Sequence, residues 1–97
     1  MKVEAKDLPP ILRENDNFYL LFIEDSINHA DPNAELFVRQ NLEGLVFSIQ
    51  PSLDTTKQAL IDNLLESHRR LNLNIKFSSS LAIQKKVIFS IKFNEIW

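Results

Sequence analysis

Asn17-Phe18-Tyr19-Leu20-Leu21-Phe22-Ile23-Glu24 is the stretch on which the fold turns. Its centre is six consecutive apolar residues, three of them aromatic, and it is apolar at even and odd positions alike. A half-buried strand alternates; a short, unbroken apolar run reads as a strand covered on both faces. The spacing therefore predicts a first strand over Asn17–Glu24, central in its sheet, with something needed to cover each side.

Upstream, residues 1–16 are polar and interrupted by Pro9-Pro10. Consecutive prolines forbid a helix interior and favour an extended path. The reading is an N-terminal arm over 1–16 and a single domain over 17–97. The arm lacks the apolar h-region of a signal peptide, and the longest apolar run falls far short of the roughly 20 residues of a membrane span.

Downstream, Glu24-Asp25-Ser26-Ile27-Asn28-His29-Ala30-Asp31 is the densest polar cluster and reads as a loop after the strand. Residues 31–44 admit two readings. Asp31 can cap a helix with Pro32 in its first position, with Ala34, Phe37, Val38 and Leu42 on one face and Gly44 as its stop. Alternatively, Asn41-Leu42-Glu43-Gly44 forms a type I turn ending in a left-handed glycine and pairs Glu35–Gln40 with Leu45–Gln50. The hairpin fits better, because Leu36 would point away from the helical apolar face. Pro51 then ends the second strand.

Asp54–Leu71 has the pattern of one long helix. Thr55-x-x-Gln58 matches a capping box, and Leu60, Ile61, Leu64, Leu65, His68 and Leu71 form a stripe. His68 in that stripe is a candidate buried base or pH switch, with a partly buried, singly hydrogen-bonded histidine as the plainer alternative. Beyond it, Ile75, Phe77, Leu81, Ile83, Val87, Phe89, Ile91 and Phe93 are all odd-numbered. A turn at Gln84-Lys85-Lys86 would pair Ile83 with Val87, Leu81 with Phe89 and Phe77 with Phe93 on one face. A turn at Ser78-Ser79-Ser80 is the rival. Together these elements predict a two-layer α+β fold: one mixed or antiparallel sheet of four to five strands, with the single long helix 54–71 on one face.

The chain of 97 residues and 11.3 kDa fits one domain. Leu, Ile, Val and Phe make up 35 residues, enough for a core without disulfides or metals. With one glycine and no cysteine, the sequence cannot carry a Gly-rich phosphate loop, a nucleophile elbow, a thiol nucleophile or a Cys-ligated metal. Lack of cysteine points to a cytoplasmic protein. Net charge is −2, with the excess acid in the first half and the excess base in the second. That is not the strongly basic balance of a nucleic-acid domain.

Three regions could carry function. Glu24, Asp25, His29 and Asp31 could bind a ligand or do acid–base work, although their spacing matches no known signature and a hydrogen-bonded turn accounts for them better. Lys76, Lys86 and Lys92 share a polar sheet face that could meet nucleic acid. That face offers no stacking aromatic before Trp97, which disfavours the reading. Phe18, Leu20 and Phe22 of the two-sided strand, with Ile96 and Trp97 at the terminus, are apolar surface in excess of what one helix can cover. The expectation is a small non-enzymatic interaction or regulatory protein, self-associating as a homodimer, with no cofactor, no metal and no membrane contact. An enzyme using the acidic loop and a nucleic-acid accessory protein using the lysine face are the alternatives.

Overall fold

The computed structural model describes residues 18–77 and 85–96. Its elements in chain order are α1 (Phe18–Ala30), β1 (Glu35–Gln40), β2 (Gly44–Gln50), α2 (Lys57–Arg70), β3 (Lys76–Phe77), β4 (Val87–Lys92) and a single turn of helix, α3 (Phe93–Ile96). The strands form one antiparallel sheet in the order β1-β2-β4-β3. The fold is α+β, with two long helices rather than one and four strands among the described residues.

The largest departure from the sequence reading is at the opening stretch. Phe18–Ile23 is the first half of a 13-residue helix, not a strand. The polar residues after it, read as a loop, are the second half. Tyr19, Ile23, Ser26 and Ile27 are buried, at the i, i+4, i+7, i+8 spacing of one helical face. The helix closes with Asp31 N–H donating to the Ile27 carbonyl at 2.7 Å, and Pro32 follows its end instead of opening a new helix.

Residues 35–50 form the expected hairpin, in uninterrupted register from Glu35↔Gln50 to Gln40↔Leu45. The turn differs from the one predicted. Asn41 Oδ1 accepts from the backbone N–H groups of Glu43 (2.9 Å) and Gly44 (2.8 Å), an Asx turn. Gly44 does not have a positive φ. Its need for glycine is steric: a Cβ there would lie 1.9 Å from the Ile91 carbonyl oxygen on the neighbouring strand.

The long helix forms where its stripe placed it, trimmed at both ends. Thr56, not Thr55, is the cap, its hydroxyl accepting from Ala59 N–H at 3.1 Å. At the C-terminal end Asn72 takes a left-handed φ of 57°. Leu73 N–H then reaches back to the His68 carbonyl and Asn72 N–H to that of Arg69. This is a Schellman closure with asparagine where glycine is usual. Glu66 pairs with Arg69 and Arg70 on the exposed face.

The last strands keep their faces but not their register. Phe77 lies opposite Phe89, not Phe93; the pairings expected of Leu81 and Ile83 fall outside the described residues. The slip is an even number of residues, so Phe77, Val87, Phe89 and Ile91 still face the core. Phe93 is where the strand ends: its N–H makes a last ladder bond to the Glu43 carbonyl at 2.9 Å, and from there the chain curls into α3. Both proposed turns of this hairpin reach residues outside the described ones, as do the arm over 1–16 and Trp97.

The core lies between the sheet and the two helices. Leu36, Leu45, Phe47, Ile49, Val87, Phe89 and Ile91 rise from the strands; Tyr19, Ile23, Ile27, Leu60 and Leu64 descend from the helices. Phe47 and Phe89, opposite each other on β2 and β4, stack with centroids 5.0 Å apart. The other sheet face has no such cover among the described residues.

Candidate functional site

The four predicted ligand residues do not converge. Asp25 and His29, one turn apart on α1, edge a shallow groove of about 320 Å³ with Asn63, Glu66 and Arg70 of α2. Glu24 sits on another side of α1, half-buried. Burial, and then the neighbouring Asp25 charge, pushes its carboxyl above the ordinary value. The groove floor is saturated with internal hydrogen bonds. Asn63 Nδ2 donates to the Ser26 carbonyl (2.5 Å) and to Ser26 Oγ (2.9 Å), and Ser67 Oγ donates to the Asn63 carbonyl (2.9 Å). Ser67 has thus given its only proton, so at 2.8 Å from it Ser26 Oγ must be the donor. Neither hydroxyl has a proton left for a ligand or an adjacent base.

Asp31 is a structural bolt. It is 1% exposed and accepts from Ser52 N–H (2.8 Å), Ser52 Oγ (2.7 Å) and Asn33 N–H (3.3 Å). Burial alone would raise its pKa, but the Ser52 and Asn33 bonds, with Thr55 behind them, hold it below the ordinary value. The carboxylate ties the end of α1 to the β2–α2 connection. No group of three or more His, Asp or Glu side chains among the described residues could hold a metal.

His68 is fully enclosed at the seam between the two helices and the sheet. Its Nδ1 lies 2.6 Å from the Leu64 carbonyl and its Nε2 lies 2.5 Å from Tyr19 Oη. A carbonyl can only accept, so Nδ1 carries the proton and Nε2 accepts from the tyrosine. Both ring nitrogens are used, where the sequence reading allowed one bond. Burial lowers the His68 pKa, opposed in part by the Leu64 carbonyl. Burial, and then Glu95, raises that of Tyr19. Phe22 and Phe89 pack edge-on against the imidazole. The pair has the geometry of a buried strut: both rings are enclosed, and the pocket of about 440 Å³ that His68 helps to line lies at the C-terminal end of α2.

The open sheet face is the feature the sequence reading only half anticipated. Register places Glu35, Phe37 and Arg39 of β1, Val46, Ser48 and Gln50 of β2, Ile88, Ser90 and Lys92 of β4 and Lys76 of β3 on it. Lys86 joins them, its ammonium 4.9 Å over the Phe37 ring. An aromatic therefore does stand on the lysine face. Phe37 is 49% exposed, with Val46 and Ile88 half-buried beside it. The signal was legible: once Leu36 faces the core, alternation sends Phe37 outward.

Of the predicted interface residues, Phe18 is 61% exposed, and Leu21, which was not singled out, is 64%. Leu20 and Phe22 pack against the core, and Ile96 is part of it. Trp97 lies outside the described residues. No protein-family model, curated protein or solved structure matches this chain.

Proposed function

We propose that the protein is a small binding module without chemistry of its own, acting through its open sheet face. One observation carries the reading: two helices seal one side of a four-stranded sheet, while the other presents Phe37, Val46 and Ile88 among four basic side chains, uncovered by any described residue. Exposed aromatic and aliphatic residues ringed by polar ones are the composition of a protein contact surface. The acid–base alternative loses support, since Asp25 and His29 edge a saturated groove and Asp31 is locked by Ser52.

The test is native mass spectrometry of protein purified gently from its own cells, with Phe37→Asp as comparator. An assembly heavier than the single chain, absent in the variant, is expected. A monomer carrying a small-molecule adduct refutes the reading.

Phe37 beside Lys76, Lys86 and Lys92 also supports a second reading, a platform for single-stranded nucleic acid. It requires binding that weakens steeply with salt and with Phe37→Ala.

A further inference from the structure

We infer that the partner at the β1 side of this surface is a second copy of the chain, joined edge to edge through β1 about a two-fold axis at Phe37. The inference rests on the interaction reading above and adds the partner and the register.

β1 is an edge strand: among the described residues only β2 pairs with it. Edge strands are ordinarily blunted by proline, bulges, inward charges or short length. Glu35-Leu36-Phe37-Val38-Arg39-Gln40 is six residues with no proline, an unbroken register and Leu36 and Val38 facing inward. The other edge, β3, offers two residues.

The backbone fixes which groups are free. Asn41 N–H donates to the Gly44 carbonyl at 3.0 Å, so this opposed pair is a hydrogen-bonded row. Rows alternate along an antiparallel ladder. Glu35, Phe37 and Arg39 therefore spend their backbone groups on β2, while Leu36 and Val38 turn theirs to the open edge. A two-fold axis at Phe37 sets Leu36 opposite the partner's Val38 and Val38 opposite the partner's Leu36. These are the residues with N–H and C=O to exchange. Phe37 then faces the partner's Phe37 in a non-hydrogen-bonded row, where side chains come closest.

Charge selects the same register. Glu35 and Arg39 stand two residues on either side of Phe37, so the axis places Glu35 opposite the partner's Arg39 and the reverse. Moving the axis to Val38 sets Phe37 against Arg39 and leaves Glu35 without an opposite charge. An axis between residues would oppose inward and outward side chains. Packing two copies face to face instead would bring together two surfaces that each carry Arg39, Lys76, Lys86 and Lys92 against the single acid Glu35. Val38, only half-buried although it faces the core side, gains cover from the partner's Leu36.

The experiment is sedimentation equilibrium of the full chain across a concentration series, with Glu35→Arg, Arg39→Glu and an equimolar mixture of the two. Both substitutions are on exposed side chains, and circular dichroism checks that each variant keeps its fold. The wild type should dimerise, each single variant should do so about tenfold more weakly or worse, and the mixture should recover dimers, because only the heterodimer then has opposite charges in both rows. A wild type that stays monomeric at every concentration overturns the dimer. The binding reading then stands or falls on the Phe37-dependent native assembly. A wild-type dimer indifferent to both variants, or a mixture that fails to recover, overturns the β1 register and leaves self-association standing.

Discussion

Between pH 7.5 and 5.5, acidification should weaken this fold through His68. In the folded chain its ring is enclosed, its Nδ1–H is committed to the Leu64 carbonyl and its Nε2 accepts from Tyr19. Protonating Nε2 would place a charge among Tyr19, Phe22 and Phe89 and force the Tyr19 hydroxyl to turn from donor to acceptor. The folded pKa is accordingly lowered, with burial the larger cause. The unfolded chain takes the proton near pH 6.5. Below that pH the unfolded state binds more protons than the folded one, so the stabilising effect is complete above about pH 6.5 and is lost as pH falls toward the lowered folded value. Integrating from pH 7.5 to 5.5, the loss is at most about 1.4 kcal/mol, the value for a folded ring that stays neutral throughout. For a domain of this size that is a fall in melting temperature of roughly 6–11 °C. Urea unfolding followed by circular dichroism at several pH values measures it directly. His68→Gln is the comparator, since glutamine can still bond Tyr19 but does not titrate. Every other group is common to both proteins. Glu24, whose pKa is raised and whose contribution therefore runs in the opposite direction, cancels in the difference. Equal losses in the two proteins between pH 7.5 and 5.5 would refute the argument.

Three further perturbations test the fold where the sequence and structure readings diverge. Asp31→Ala leaves Ser52 N–H and Oγ without their carboxylate and should cost about 3 kcal/mol in urea unfolding. Because the Asp31 pKa is lowered, its contribution is present above the ordinary value near pH 3.9 and is lost as pH falls below it; Asp31→Asn should flatten that acid limb. Gly44→Ala should cost at least about 3 kcal/mol by driving a Cβ into the Ile91 carbonyl, and Gly44→Asn should fail alike, whereas a left-handed glycine would tolerate asparagine. Thr56→Ala should remove about 1 kcal/mol by uncapping α2, and an unchanged urea midpoint would return the cap to Thr55.

What was legible followed from how local the determinants are. The α2 helix has a stripe, a threonine cap and basic residues at its end, all within one segment, and only its limits moved. The β1–β2 hairpin rests on a short turn whose asparagine bonds its own backbone, so nothing distant could override it. The β3–β4 register has no short turn motif in the sequence between Phe77 and Val87 to fix it. There the period-2 pattern determined the face but not the partner, and Phe77 met Phe89. The opening stretch failed for a different reason. Six apolar residues in a row are ambiguous between a buried strand and a buried helix segment, and only length decides. Tyr19 and Ile23 find their continuation in Ser26 and Ile27, beyond the polar Glu24-Asp25 pair that was read as the start of a loop.

That one reassignment moves the functional argument as well. As a central strand, residues 17–24 would have needed cover on two faces, and the excess apolar surface would have been Phe18, Leu20 and Phe22. As a helix, α1 lies beside α2 on one side of the sheet, bonded to it through Ser26, Asn63 and Ser67. Leu20 and Phe22 then find cover in the same core, and two helices suffice for one face. Exposed apolar surface among the described residues is then divided between α1, where Phe18 and Leu21 stay exposed, and the opposite sheet face, where Phe37 is exposed beside the half-buried Val46 and Ile88. The supposed ligand loop becomes the inner turns of α1, which explains why its serine and Asp31 are spent on internal bonds. Among the described residues the candidates are therefore a sheet face and a strand edge rather than a convergent pocket, and a free strand edge is a template for pairing with another strand.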